Sequence, residues 1–123
     1  MTSESTQSRG RAAEQSARQH LERQGMRLLA QNWLCRRGEL DLVMLDGDTV
    51  VFVEVRYRRY AAWGGALESV DGRKQEKIAR AAEHFLQQES RWSKHPCRFD
   101  VIAIDAGDQS LARMNWVKNA FDT

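Results

Sequence analysis

Hydrophobic positions change period several times along the chain, and each change marks an element. From Arg9 to Gln24 helix formers dominate, Ala13, Ala17 and Leu21 recur at i, i+4 and i+8, and Gly25 stands where a helix C-cap belongs. The first element is therefore read as a helix. Met26 to Leu34 reads as a strand, closed by the polar turn Cys35-Arg36-Arg37-Gly38. From Glu39 to Leu45 the period falls to two, with Glu39, Asp41, Val43 and Leu45 on one face and Leu40, Leu42 and Met44 on the other. Asp46-Gly47-Asp48 is a hairpin turn, and Thr49 to Tyr57 is the densest β-branched and aromatic run of the chain. Val50, Val51, Phe52, Val53 and Val55 leave this strand apolar on both faces, which predicts a central position with cover on each side.

Arg58 to Val70, with Gly64-Gly65, reads as a long loop. Asp71 can cap a second helix through about Gln88, with Ile78, Ala81, Ala82, Phe85 and Leu86 as its apolar stripe. His95-Pro96 breaks the chain before a strand from Arg98 to Asp105, where Phe99, Val101 and Ala103 oppose Asp100, Ile102 and Ile104. The Ala106-Gly107-Asp108 turn precedes a short extra strand over Leu111 to Val117. The order αβββαβ, with that added C-terminal strand, predicts an α/β fold: a small mixed sheet with a helix on each face. Residues 1–8 are polar and are expected to be a mobile tail to a single domain over 9–123.

The chain's 123 residues fit one domain. Nineteen Lys and Arg against 17 Asp and Glu leave a formal charge of +2, so affinity for a polyanion has to come from a local patch. A hydrophobic fraction of 41% with 29% charged residues excludes wholesale disorder. No apolar run is long enough for a membrane span, and the N-terminus resembles no secretory or transit peptide, so a cytoplasmic protein without a membrane partner is expected. Cys35 and Cys97 form no CxxC pair and are read as reduced thiols.

Acids inside apolar strands are the informative ones, because most carboxylates are solvated surface groups. Asp41 lies in Gly38-Glu-Leu-Asp-Leu-Val43 and Glu54 in Val51-Phe-Val-Glu-Val-Arg56. Counting outward from the hairpin turn brings Asp41 close to the level of Glu54, and by period two Arg56 shares the face of Glu54. Two adjacent carboxylates repel unless a cation lies between them, and one or two carboxylates plus substrate phosphate are the usual surroundings of Mg²⁺. Arg56 can then stabilise charge developing on a phosphate. A cross-strand ion pair of Asp41 or Glu54 with Arg56 is the plain alternative. Lys74 opens the buried stripe of the second helix and can point toward the same sheet end; a lysine turned out to water is its alternative.

Arg56-Tyr57-Arg58-Arg59-Tyr60, followed by Trp63, interleaves cations with rings, which suits phosphates and unpaired bases. Equally, Tyr57, Tyr60 and Trp63 can cover the core edge beneath solvated arginines. Arg73 and Lys77 add charge along the second helix. Asp100 reads as structural.

Gly38-Glu39-Leu40-Asp41-Leu42, Val51-Phe52-Val53-Glu54-Val55-Arg56-Tyr57-Arg58, Gly64, Lys74 and Arg98-Phe99-Asp100-Val101 resemble the YraN family of small bacterial proteins. That family is similar to Holliday-junction resolvases of the restriction-endonuclease-like superfamily. The resemblance implies a PD-(D/E)xK core, with Asp41 and Glu54 as metal ligands, position 56 as the base-bearing position and Glu14 as the acid that the first helix brings over the site. The family pattern ends Glu-Val-Lys where this chain has Glu54-Val55-Arg56. Arginine keeps the charge but releases no proton near neutral pH, so an electrostatic role survives and a proton-accepting one does not.

Together these features lead us to expect a restriction-endonuclease-like α/β fold and a nucleic-acid-binding protein, with DNA as partner and Mg²⁺- or Mn²⁺-dependent endonuclease chemistry on branched or irregular substrates. Asp41 and Glu54 ligate the metal, Glu39 and Glu14 support it directly or through water, and Arg56 and Lys74 serve the catalysis. Arg58, Arg59, Tyr57, Tyr60, Trp63, Arg73 and Lys77 contact the nucleic acid. A homodimer is expected by analogy with resolvases, which cut two strands. The alternatives are a non-catalytic nucleic-acid-binding module with the same fold, and a protein-interaction scaffold.

Overall fold

The apolar run at Thr49–Arg58 forms the middle strand of a five-stranded sheet, seen in a computed structural model that describes residues 6–58, 70–105 and 113–122. Helix α1 (Thr6–Arg23) is followed by strands β1 (Arg27–Cys35), β2 (Gly38–Asp46) and β3 (Thr49–Arg58), helix α2 (Gly72–Gln88), a 3-10 turn at Ser90–Trp92, and strands β4 (Cys97–Asp105) and β5 (Arg113–Phe121). The sheet runs in chain order, β1-β2-β3-β4-β5. Its neighbours are antiparallel except β3 and β4, which lie parallel because α2 carries the chain back across the sheet.

Each helix covers one face. Ala13, Ala17 and Leu21 of α1 pack with Leu42, Met44, Val51, Val53, Ile102 and Ile104, while Ile78, Ala81, Ala82 and Phe85 of α2 pack with Val43, Val50, Phe52, Val101 and Ala103. The alternation of Val50 to Val53 between these clusters makes β3 the doubly covered strand that its composition predicts. Asp71 caps α2, its carboxylate accepting from the Lys74 N–H at 2.9 Å. Gly47, with φ 63°, turns the β2–β3 hairpin, which closes at Asp46↔Thr49.

Three expectations change. Helix α1 begins at Thr6, one turn into the expected tail, since no proline interrupts the segment; residues 1–5 lie outside the described residues. The period of two along β2 also breaks. Leu40 and Val43 pack into the α2-side cluster, as do Ala30 and Trp33 of β1, so both strands change face between these positions. The change falls at Asn32, whose φ of 51° is left-handed, and at Asp41 opposite it. Strand β5 runs to Phe121, past the expected Val117, through an irregularity where Asn119 (φ 50°) donates its N–H to Asp100. Most of the expected loop, 59–69, and the Ala106-Gly107-Asp108 turn lie outside the described residues.

Candidate functional site

The change of face in β2 decides where Asp41 goes. The β2–β3 ladder ends at Leu42↔Val53, and the next free donor of β3, the Val55 N–H, is taken by the Asp41 carboxylate at 2.9 Å. The side chain thus replaces a strand carbonyl, which holds it at the end of the ladder beside Glu54. Glu54 is itself buried, at 5% exposure, on the α2 side of the sheet.

Burial, then a hydrogen bond from the Asp41 carboxyl to Glu54 and the Glu54 charge, push the Asp41 pKa up from its ordinary 3.8 to about 8; the Val55 N–H and Lys74 oppose the shift. Two acids lie side by side there, and burial together with the Glu54 charge favours the protonated form of Asp41. Lys74, fixed in the first turn of α2 by the Asp71 cap, reaches Glu54 with Nζ to Oε2 at 3.2 Å. Arg56 approaches the same oxygen only to 4.0 Å and is a third exposed. The lysine of α2 therefore stands nearer the acid pair than the arginine two residues along the strand.

On the α1 side, the Glu14 pKa is raised, first by burial and then by the Asp41 charge, with Glu39 adding and the Asn32 amide and Arg11 opposing. Gly10, Arg11, Glu14, Asn32, Leu34 and Glu39 line a groove of about 500 Å³. Arg56, Asp71, Arg73, Lys74 and Lys77 line a smaller one of about 230 Å³. Asp41, at the change of face, interacts with groups on both sides of the sheet.

Among the described residues no three His, Cys, Asp or Glu side chains surround one point as placed. Asp41 and Glu54 do fit a divalent cation as a pair: hard oxygen donors held side by side, with burial working against a charge on Asp41. Further ligands would come from backbone, water or substrate oxygens, as Mg²⁺ commonly takes them.

The expected contact residues are dispersed. Tyr57 is exposed. Arg58 makes a two-pronged ion pair with Asp105, at 2.7 and 3.1 Å, a pairing that the parallel β3–β4 register sets and that sequence reading missed. Arg73 and Lys77 lie exposed on α2. Arg59, Tyr60 and Trp63 lie outside the described residues. Asn32 and Arg11 were not anticipated, and the only sequence sign for Asn32 is its residue type, which tolerates a left-handed backbone.

Residues 13–104 match the sequence model of an uncharacterised protein family, UPF0102. The chain belongs to that family. UPF0102 corresponds to the YraN resemblance of the sequence, and its members here include a protein of Pseudomonas fluorescens, 67% identical over 97% of both chains. A UPF0102 protein of Ectopseudomonas mendocina is 71% identical over 92% of this chain and 93% of its own. One of Pseudomonas aeruginosa is 63% identical over 97% of this chain and 96% of its own. The matched segment of the UPF0102 chain includes Glu14, Asp41, Glu54, Arg56 and Lys74, and ends before β5. No described helix is long and apolar enough to cross a membrane.

Proposed function

We propose that this protein is a nucleic-acid-binding protein of restriction-endonuclease-like fold that hydrolyses phosphodiesters of branched or irregular DNA with Mg²⁺ or Mn²⁺. The observation that carries the reading is the Asp41–Glu54 pair at the end of the β2–β3 ladder, Glu54 buried and Asp41 half-buried, with Lys74 at 3.2 Å from Glu54. A sheet of this order with a helix on each face is compatible with that fold.

Asp41 and Glu54 would hold the metal, with Glu14 and Glu39 supporting it through water. When bound, the metal supplies Lewis-acid stabilisation of the phosphate and a more acidic water. The chain's own groups do the rest. Val55 N–H and the Asp71 cap fix Asp41 and Lys74 in place. Lys74, 3.2 Å from Glu54, stands at the acids as a positively charged donor and orients the attacking water. Arg56 stays charged and stabilises the developing phosphate charge. Two cuts on opposite strands would require two such sites, hence a homodimer.

The test is a labelled four-way DNA junction incubated with the protein in Mg²⁺ or Mn²⁺. Metal-dependent cleavage by the wild type, reduced about 10²-fold or more in Asp41→Asn and Glu54→Gln, supports the reading. Binding without cleavage in either metal leaves the non-catalytic module, and salt-insensitive indifference to DNA leaves the protein-interaction scaffold.

A further inference from the structure

Away from the acid pair, the chain's clearest array of like charge follows α2. Arg73, Lys77 and Arg80 recur at i, i+4 and i+7, which places them along one stripe of the helix that His84 continues at i+11. Halfway along, the β1–β2 turn abuts it: the Lys77 carbonyl lies 3.6 Å from where a Cβ on Gly38 would stand. Arg37 of that turn lines a groove of about 380 Å³ with Arg80, Glu83, His84 and Gln87. The stripe therefore connects this groove with the one at Arg56 and Lys74.

Two features separate the stripe from an ordinary wet helix face. Arg73 and Lys77 stand in the N-terminal half of α2, the half where the helix dipole disfavours cations, and the Asp71 cap is the acid at that helix end. In addition, Arg36, Arg37, Arg73, Lys77 and Arg80 make no ion pair with any described carboxylate, although Glu76 and Glu83 stand on the same helix. Charge placed against local stability and left uncompensated points to an outside anion.

We propose that this stripe, extended by Arg36 and Arg37 of the hairpin, tracks the phosphates of one duplex arm of the nucleic acid whose reacting phosphate meets Asp41 and Glu54. The inference rests on the nucleic-acid reading above. Arg73 to His84 spans about 16 Å at the helical rise, long enough to meet several phosphates of one strand, which recur about every 3.4 Å of duplex axis. The stripe carries no Phe, Tyr or Trp, so it offers a rigid row of cations and no stacking platform, which suits a duplex better than a single strand.

Fluorescence anisotropy of a short labelled duplex, and of one of its strands, tests this across a salt series without metal. The variant Arg73→Ala/Lys77→Ala/Arg80→Ala should lower the slope of log K against log salt by about 3 on the duplex, and Arg37→Ala alone by about 1. Arg23→Ala/Arg27→Ala, which removes exposed cations elsewhere, should leave the slope unchanged. An unchanged melting temperature shows that the triple variant is folded; Arg37→Ala, on a turn, decides the matter if it is not. If the wild type binds the duplex and both the triple variant and Arg37→Ala keep its slope, the stripe is wrong and the nucleic-acid reading stands. If the wild type binds neither probe, both fall.

Discussion

Two strand aspartates of this molecule, one fully buried and one half-buried, are treated in opposite ways. Asp100, fully buried on the α1 side, accepts from Arg98 Nε at 3.0 Å and Nη2 at 3.3 Å, from Trp116 Nε1 at 3.0 Å and from the Asn119 N–H at 2.9 Å. Arg98 also donates to Asp46 at 2.9 Å, and these two carboxylates raise its pKa against the burial that lowers it. Asp41 has one backbone donor and a second acid as neighbour; burial and that acid push its pKa up to about 8. A saturated acid holds β4 to β5 and to the hairpin turn. An unsaturated pair is what a site for an external cation requires.

Removing each acid should separate them most sharply. Asp100→Ala leaves Arg98, Trp116 Nε1 and the Asn119 N–H without their acceptor, and should cost about 3–5 kcal/mol in urea unfolding. Next in size, Lys74→Ala should lower metal-dependent cleavage by about 10²-fold with little loss of stability, since the side chain is 43% exposed, while Arg56→Lys should leave the rate within about a few fold. Below about pH 8, Asp41→Asn should change stability by less than about 1 kcal/mol, since a neutral amide replaces a protonated carboxyl, donating to Glu54 and accepting from Val55. A loss as large as that of Asp100→Ala would erase the contrast.

Last comes the pH dependence. Between about pH 4 and pH 8 the folded chain keeps a proton at Asp41 that the unfolded chain, with an ordinary carboxylate, has released. The folded state binds more protons, so this group's contribution to stability declines as pH rises through that window. Urea midpoints taken across it should fall with pH in the wild type and flatten in Asp41→Asn.

The contrast was only half legible in the sequence. The hairpin at Asp46-Gly47-Asp48 fixes the β2–β3 register, so the proximity of Asp41 and Glu54 follows from counting outward. Likewise Asp71 and the Ile78, Ala81, Phe85 stripe give α2 and the direction of Lys74. The donors to Asp100 were hidden because two come from β5, whose irregular pairing puts Asn119 where no period predicts it. The pairing of Arg58 with Asp105 was hidden because a helical crossover leaves parallel register open. The change of face at Asn32 and Asp41 was hidden because alternation was extrapolated across a left-handed residue.

The most direct test of the account is thermal melting of the wild type, Asp41→Asn and Glu54→Gln at a pH near 8, with and without excess Mn²⁺. A ligand at about 100 times its Kd stabilises the state that binds it by about 2.7 kcal/mol. The account predicts a Mn²⁺-dependent rise in the wild-type melting temperature that both substitutions remove. The same rise in all three proteins, or none in the wild type, contradicts the assignment of Asp41 and Glu54 as a cation site.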